Sequence, residues 1–412
     1  MSLQVESAPT AAPSPASPVR GLAAYVTRRV LAHLRSGRLV VELPSGQRID
    51  HRAEQAGVEA VIEIHRWRAL RRLIAGGDVG FAKAYIDGDW STPDLTAFIE
   101  LIARNGEEFV DRVSGVAPFR VMNFLAHLRR SNTRAGSRRN IEAHYDLGNE
   151  FYGEWLDASM LYSSAIYARP GATLEEAQQE KLRQIAEMLE IKPDQSVLEI
   201  GCGWGALARS LAAARARVTG ITLSPSQLAF ARRSIEEAGL SDRVDLRLQD
   251  YRDTRGEFDR IVSIEMIEAV GHKYWPSYFG ALRDRLKPGG IAVLQAITIA
   301  ESRFEAYRAR PDFIQRYIFP GGFLPTKTAM DEAMAAAGLR RVAARNFGAS
   351  YALTLAEWRR RFNEAWPRIE KLGFDAKFRR LWNYYLCYCE AGFKTGAIDV
   401  GLYSIAHAES RR

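Results

Sequence analysis

The residues of this 412-residue chain that could do chemistry gather around one glycine-rich turn. Val197-Leu198-Glu199-Ile200 reads as a buried strand that runs into Gly201-Cys202-Gly203-Trp204-Gly205, with a helix opening behind it. Glycines there let a ligand approach the backbone closely, and the helix N-terminus offers the positive end of its dipole. A Gly-x-Gly alone matches many nucleotide sites, so the flanking residues matter. The second strand ends Gly220-Ile221-Thr222-Leu223-Ser224, with Gln227 one turn into the next helix where an acidic ribose clamp could have stood. The third ends Gln249-Asp250-Tyr251, where Asp250 is suited to an exocyclic adenine amine beside Tyr251. Glu268, in IVSIEMIEAVG, stands just past the carboxyl end of another strand, the edge of an open α/β sheet where ligands bind.

A regular alternation of elements must position these groups. TLEEAQQEKLRQIAEMLEI is a strongly periodic helix, and the glycine-turn strand follows it. Then come helix ALARSLAAARA, strand RVTGITL, helix SPSQLAFARRSIEEAGL, and strands VDLRLQD and FDRIVSIEM. Helix YFGALRDRL and strand GGIAVLQAITI complete the series. Repeated strand–helix units predict an α/β fold with a mostly parallel, doubly wound sheet.

Length and composition set the surroundings. At 412 residues, 47% hydrophobic and 26% charged, the chain is an ordinary globular protein with room for two domains. No apolar run reaches the roughly 18–20 residues that cross a bilayer. The Pro/Ser/Ala-rich residues 1–20 read as a disordered tail, not a signal peptide. Residues 21–112 are expected to form a smaller, mainly helical N-terminal domain facing lipid or membrane. Within it LVVELPSGQRID suggests a hairpin, VEAVIEIHRWRALRRLIAG a helix ended by Gly76-Gly77, and FAKAYIDGDWSTPDLTAFIELIARN a helix, turn and helix capped by Ser91 or Thr92. The three cysteines, Cys202, Cys387 and Cys389, form neither a disulfide framework nor a zinc pattern, which fits a reducing cytoplasm and no metal.

The net charge of +8 is concentrated locally. Arg112 to Arg139 holds seven arginines and no acid, and its middle, PFRVMNFLAHLRR, is amphipathic. Residues 113–139 therefore read either as a basic linker that docks on an anionic membrane surface or as a helix packed on its own protein. A peripheral position at the inner membrane surface follows from the first reading, with no nucleic-acid partner.

The motifs HYDLGNEFY (His144 to Tyr152), YSSAIY (Tyr162 to Tyr167), LEIGCGWG, GITLSPSQ, LQDYRD, FDRIVSIEMIEAVG, YIFPGGFLP (Tyr317 to Pro325) and YYLCYCEAGF (Tyr384 to Phe393) carry a specific resemblance. The chain from about Asn140 onward resembles the cyclopropane-fatty-acid synthase family, which includes the mycolic-acid cyclopropane synthases. The resemblance implies a class I Rossmann-like methyltransferase domain over residues 140–412, with S-adenosyl-L-methionine as methyl donor. Its implied substrates are unsaturated acyl chains of membrane phospholipids, its implied products cyclopropane or methyl(ene)-branched chains, and a homo-oligomer is compatible with it. Carried over by motif, Tyr162 and Ser163 close over the methionine end of the cofactor, and Gly201 and Gly203 contact its amino-acid part. Thr222, Leu223 and Gln227 hold the ribose, while Asp250, Tyr251 and Ile264 complete the site.

The family resemblance also implies a bicarbonate ion as base. Methyl transfer to an isolated double bond leaves a carbocation, and a proton must then leave the new methyl for a ring to close. By motif, Glu268, Tyr351, Gln295 and the backbone amides near Ser164 and Ile297 would hold that ion. Ser164 stands where the family has the cysteine of YSCxY, and Gln295 where it has the histidine of HTI. A serine keeps the backbone amide; a glutamine still donates a hydrogen bond but does not titrate. A cation that survives longer can undergo a hydride shift and give a methylene branch. Cys387, Cys389 and the aromatics beside them are expected to pack in or near an acyl pocket, and Tyr317 to Phe323 to form a lid or entrance. The competing readings are a small-molecule C-methyltransferase, which needs a polar pocket, and a non-catalytic lipid-binding relative, which need not bind cofactor.

Overall fold

A computed structural model describes residues 22–106 and 147–409. The N-terminal unit carries helix α1 (Leu22–Leu31), strands β1 (Ser36–Glu42), β2 (Arg48–Arg52) and β3 (Gln55–Ile64), helix α2 (Arg68–Ile86), the short strand β4 (Trp90–Ser91) and helix α3 (Leu95–Arg104). β1 and β2 form the expected hairpin, and β3 pairs parallel with β1 in a four-stranded sheet ordered β2-β1-β3-β4.

Two local expectations fail here for physical reasons. VEAVIEI is a strand, because Ala60, Ile62 and Ile64 alternate inward with period two and pack on β1. The helix that follows does break at Gly77, as expected (φ 59°, ψ −146°, a conformation that glycine tolerates), and a second helical stretch carries α2 on to Ile86. The cap of α3 is Asp94, whose side chain accepts the Ala97 N–H at 2.9 Å, not Ser91 or Thr92.

The larger unit runs through α4 (Asn149–Gly153), α5 (Leu174–Met188), β5 (Ser196–Ile200), α6 (Ala206–Ala213), β6 (Arg217–Thr222), α7 (Pro225–Glu237), β7 (Val244–Leu248) and β8 (Phe258–Ile264). There follow α8 (Ile267–Val270), α9 (Trp275–Arg285), β9 (Leu286–Ile299), α10 (Phe304–Ala309), α11 (Phe313–Tyr317) and α12 (Lys327–Ala336). The chain finishes with β10 (Leu339–Asn346), α13 (Gly348–Ile369), α14 (Ala376–Lys394) and β11 (Ile398–His407). Seven strands form one sheet in the order β10-β11-β9-β8-β5-β6-β7. β7, β6, β5, β8 and β9 are mutually parallel, while β11 runs antiparallel to both β9 and β10. The expected mostly parallel, doubly wound sheet is present. The chain winds outward from β5 through β6 and β7, then returns to β8 on the other side of β5. That reversal opens a crevice at the carboxyl ends of β5 and β8.

Local sequence explains the best-defined helices. Thr173 and Glu176 form a capping box at α5, and Ser224 caps α7 with Pro225 at its first position. The N-terminal unit docks on α14 through a buried ionic knot: Glu390 accepts from the Thr96 hydroxyl at 2.9 Å and pairs with Arg359 at 3.1 Å and Lys394 at 3.0 Å. One apolar core, including Leu39, Ile62, Phe98, Phe151, Trp358 and Trp382, spans both units.

Candidate active site

At the end of β5 the chain turns through three glycines with positive φ: Gly201 at 82°, Gly203 at 51° and Gly205 at 85°. A Cβ on Gly201 would meet the Met266 side chain at 2.5 Å, and one on Gly205 would meet Ala231 at 2.9 Å. Gly203 differs, because a Cβ there would have no protein atom within 4 Å. Its backbone faces a cavity of about 1250 Å³ that Gly201, Thr222, Leu223, Gln227, Tyr251 and Ile264 also line. The site is wired locally: Gly201 and Cys202 both donate their N–H to the Ile221 carbonyl, and the Thr222 hydroxyl donates to Gln227 at 3.1 Å.

Two acidic residues stand near the carboxyl ends of β5 and β7. Asp250 is not among the cavity-lining residues; its carboxylate grips Arg252 at 2.6 and 2.8 Å and caps the turn that begins at Tyr251. Glu199, which no motif singled out, lines the cavity beside Gly201 and has a buried Oε2 with no hydrogen-bond partner. Burial pushes its carboxyl up to about 8. An open backbone cradle at Gly203 and an orphaned acceptor at Glu199 suit a ligand carrying an amino-acid group, as S-adenosylmethionine does.

The loop from Met160 to Tyr167 forms the opposite wall. α5 holds it from below: Gln178 donates to the carbonyls of Leu161 and Ser163, and Lys181 donates to the Ser163 hydroxyl at 2.7 Å. α13 holds it from the side, through Thr354 to the Ala165 N–H and Ser350 to the Tyr167 N–H. The Tyr162 ring packs against Trp155 and Trp358 at 5.7 and 5.3 Å, and its hydroxyl meets that of Tyr385 at 2.8 Å. Burial lowers the Lys181 ammonium to about 8, against the opposing pull of Glu265 and Asp157.

Between these walls lies a cage that sequence reasoning assigned to a free anion. The structure fills it with Glu265, the residue directly after β8. Glu265 Oε1 accepts from the Ser164 N–H at 2.8 Å and from the Gln295 amide at 2.6 Å, and Oε2 accepts from the Tyr351 hydroxyl at 2.7 Å. Glu268 stands one helical turn on and accepts the Ile297 N–H at 2.5 Å. Its other oxygen is buried without a partner. Burial, reinforced by Glu265, pushes the Glu268 carboxyl up to about 8, which favours its protonated form. Burial also raises Glu265, while Tyr351, Ser164, Lys181 and Gln295 pull it back. The Tyr351 hydroxyl is held well above its ordinary range by burial and Glu265, and remains a donor.

The expected catalytic residues therefore do meet, around a different centre. Every donor assigned to bicarbonate is committed: Ser164, Tyr351 and Gln295 to Glu265, and Ile297 to Glu268. A second anion would face two carboxyl groups with no free donor among those four. These residues do not fit bicarbonate. Glu265 escaped sequence reasoning, although an acid at the carboxyl end of a strand, three residues before Glu268, was a signal for it.

Two further motifs line the same cavity. Tyr384, Tyr385, Tyr388, Cys389 and Phe393 present one face of α14, whereas Cys387 is buried in the core behind it. Phe319 and Phe323 line it too, in a loop tied down by the Phe323 N–H on the Glu268 carbonyl at 2.7 Å. On the N-terminal side Leu39, Ile62, Ile64 and Phe98 extend the apolar wall. His144, the basic run from Arg112 to Arg139 and the 113–139 linker lie outside the described residues.

A glycine turn at the carboxyl end of the first strand of such a sheet, opening on a cavity, is a nucleotide-type ligand site of a Rossmann-like fold, and similarity to known proteins makes its class the S-adenosylmethionine-dependent methyltransferases. Residues 132–402 match the family model described as mycolic acid cyclopropane synthetase, and the chain belongs to that family. It is 40% identical over 350 residues to the tuberculostearic acid methyltransferase UfaA1 of Mycobacterium tuberculosis, covering 82% of this chain and 81% of that one. It is 36% identical over 341 residues to the cyclopropane-fatty-acyl-phospholipid synthase of Escherichia coli, covering 82% and 84%. Among solved structures, the cyclopropane synthase MmaA2 of M. tuberculosis superposes with a TM-score of 0.62 at 30% identity, over 65% of this chain and 98% of that one. The mycolic acid cyclopropane synthase CmaA1, complexed with SAH and CTAB, gives 0.61 at 28%, over 65% and 97%.

Proposed function

We propose that this methyltransferase transfers one carbon from S-adenosylmethionine to the double bond of an unsaturated acyl chain carried on a membrane phospholipid. The observation that carries the reading is the cavity, which runs from the glycine turn past Glu265 into the N-terminal unit. At about 1250 Å³ it exceeds the roughly 300–1,000 Å³ of ordinary small-ligand pockets. Its apolar walls, from Phe393 and Tyr385 to Ile62 and Leu39, suit an extended hydrocarbon. Bound S-adenosylmethionine supplies an electrophilic methyl. The chain's own part is to hold the alkene in register with the Gly203 cradle and to keep out water, which would trap a cation.

The lipid is proposed to enter from an anionic membrane surface. Trp67 and Ile74 line the cavity yet stand 41% and 51% exposed, and Arg71 lines it beside them. Exposed apolar side chains among cations suit a lipid interface. Among the described residues no helix is long and apolar enough to cross a membrane. Mass spectrometry of lipids from a host expressing the chain tests the proposal. Monounsaturated phospholipid chains should gain a cyclopropane or a methyl(ene) branch, and an unchanged lipid profile with an active soluble acceptor would favour a small-molecule methyltransferase.

A further inference from the structure

We propose that the Glu265 carboxylate is the base of this enzyme, built into the chain, and that it takes the proton from the newly transferred methyl without bicarbonate. The inference rests on the acyl-chain reading above and deepens it. A carboxylate offers about four lone-pair sites. In Glu265 three are engaged, two on Oε1 by Ser164 and Gln295 and one on Oε2 by Tyr351. The fourth, on Oε2, is left for a proton. Glu265 lines the same cavity as Gly203, so the open acceptor and the cofactor cradle share one space.

The backbone supports a dedicated role. Glu265 has φ of +48°, a left-handed conformation that non-glycine residues seldom adopt. Such strain persists where surrounding structure over-determines it, and it clusters at functional sites. Here the Glu265 N–H bonds the Gln295 carbonyl at 2.8 Å while the Gln295 side chain bonds the Glu265 carboxylate, so backbone and side chain are clamped by one residue. The neighbouring carboxyl does not compete for the task. Glu265 accepts three hydrogen bonds where Glu268 accepts one, from the Ile297 N–H, so the ionised form is favoured at Glu265, and carboxyls in environments that differ in this way divide acid and base roles.

The step balances without a further reactant. The alkene π pair forms the new C–C bond as the C–S bond of the sulfonium breaks, leaving a neutral thioether and a substrate carbocation. Glu265 then takes a proton from the transferred methyl, and the C–H pair closes the three-membered ring. If a hydride shifts first, the cation moves to the methyl-bearing carbon, and proton loss from that methyl gives a methylene (C=CH2) branch on an open chain. The carboxylic acid so formed returns its proton to solvent as product leaves.

The test uses the full chain with S-adenosylmethionine and phosphatidylglycerol vesicles bearing oleoyl chains, in degassed, bicarbonate-free buffer and in the same buffer with bicarbonate. Wild-type turnover should be equal in both. Glu265→Gln should lose on the order of 10²–10⁴-fold in turnover while keeping its affinity for S-adenosylhomocysteine. Its remaining turnover should show a larger isotope effect with methyl-deuterated cofactor, because proton removal has become limiting. A merely structural role would not move that ratio. Glu265→Gly relieves the strained φ and empties the cage, so added bicarbonate or formate should restore its turnover. Bicarbonate-dependent wild-type turnover, or full activity of Glu265→Gln without bicarbonate, overturns the proposal. A wild-type enzyme that makes no lipid product under any condition would overturn the substrate reading and this inference with it.

Discussion

Glu265 and Gln295 meet twice: the Gln295 amide donates to Glu265 Oε1 at 2.6 Å, and the Glu265 N–H donates to the Gln295 carbonyl at 2.8 Å. The contact exists because β8 and β9 pair in parallel with Ile264 opposite Gln295. A polar side chain with no ionisable group thus fixes the orientation of a carboxylate without changing the net charge around it.

Gln295→Leu should therefore impair turnover while sparing the cofactor site. Loss of one charge-assisted hydrogen bond is worth about 1–3 kcal/mol, or roughly a 10–100-fold fall in kcat. Tyr351→Phe should behave alike, since it removes the donor to Oε2. Steady-state kinetics alongside titration with S-adenosylhomocysteine checks both, and an unchanged kcat would place the two residues outside proton removal.

Gly203→Val should abolish most cofactor binding without unfolding the sheet. Its side chain would occupy open space facing the cavity and would force a β-branched residue to φ of 51°. Titration calorimetry should show the loss, while circular dichroism stays native. Wild-type affinity in this variant would move the cofactor site elsewhere.

Stability should fall as pH rises through the range set by Glu199 and Glu268. Both are buried and pushed up from 4.5 to about 8. The folded state therefore holds protons that the unfolded chain releases, so their contribution is full below about 4.5 and is lost by about 8. Ligand-free Glu268→Gln should melt with a flatter pH profile and be more stable than wild type at pH about 8, by an amount on the order of a few kcal/mol. Differential scanning fluorimetry across that range reads the slope.

Vesicle binding should weaken when the cavity rim is made polar. Trp67→Glu with Ile74→Glu places two charges where exposed apolar side chains surround the cavity. Co-sedimentation with anionic vesicles should fall. It should also fall with salt, since attraction between exposed charges is screened beyond a Debye length of about 8–10 Å at 0.10–0.15 M. Arg129→Glu with Arg130→Glu tests the basic run separately. Binding insensitive to all of these changes would remove the membrane from the proposal.

Much of this protein was legible locally. The strand–helix alternation, the glycine turn and the helix caps depend on neighbours in sequence, so periodicity and residue type disclosed the parallel sheet and its ligand edge. The strand β3 was harder, since VEAVIEI satisfies either period until β1 lies alongside it. Asp250, expected at the adenine, is also gripped by Arg252 two residues away, a contact that the residue types alone do not disclose.

The sequence by itself determined that Ser164, Gln295, Ile297, Tyr351 and Glu268 belong together, because their motifs carry that grouping. Only the tertiary structure decided what they surround. Glu265 reaches its cage through the register of β9 on β8, the packing of α13 beside them, and the loop that α5 and α13 pin against the sheet. No sequence period links residues 164, 265, 295 and 351. Their convergence comes from long-range packing, and the hydrogen bonds of a buried carboxylate are set by the groups that packing brings to it.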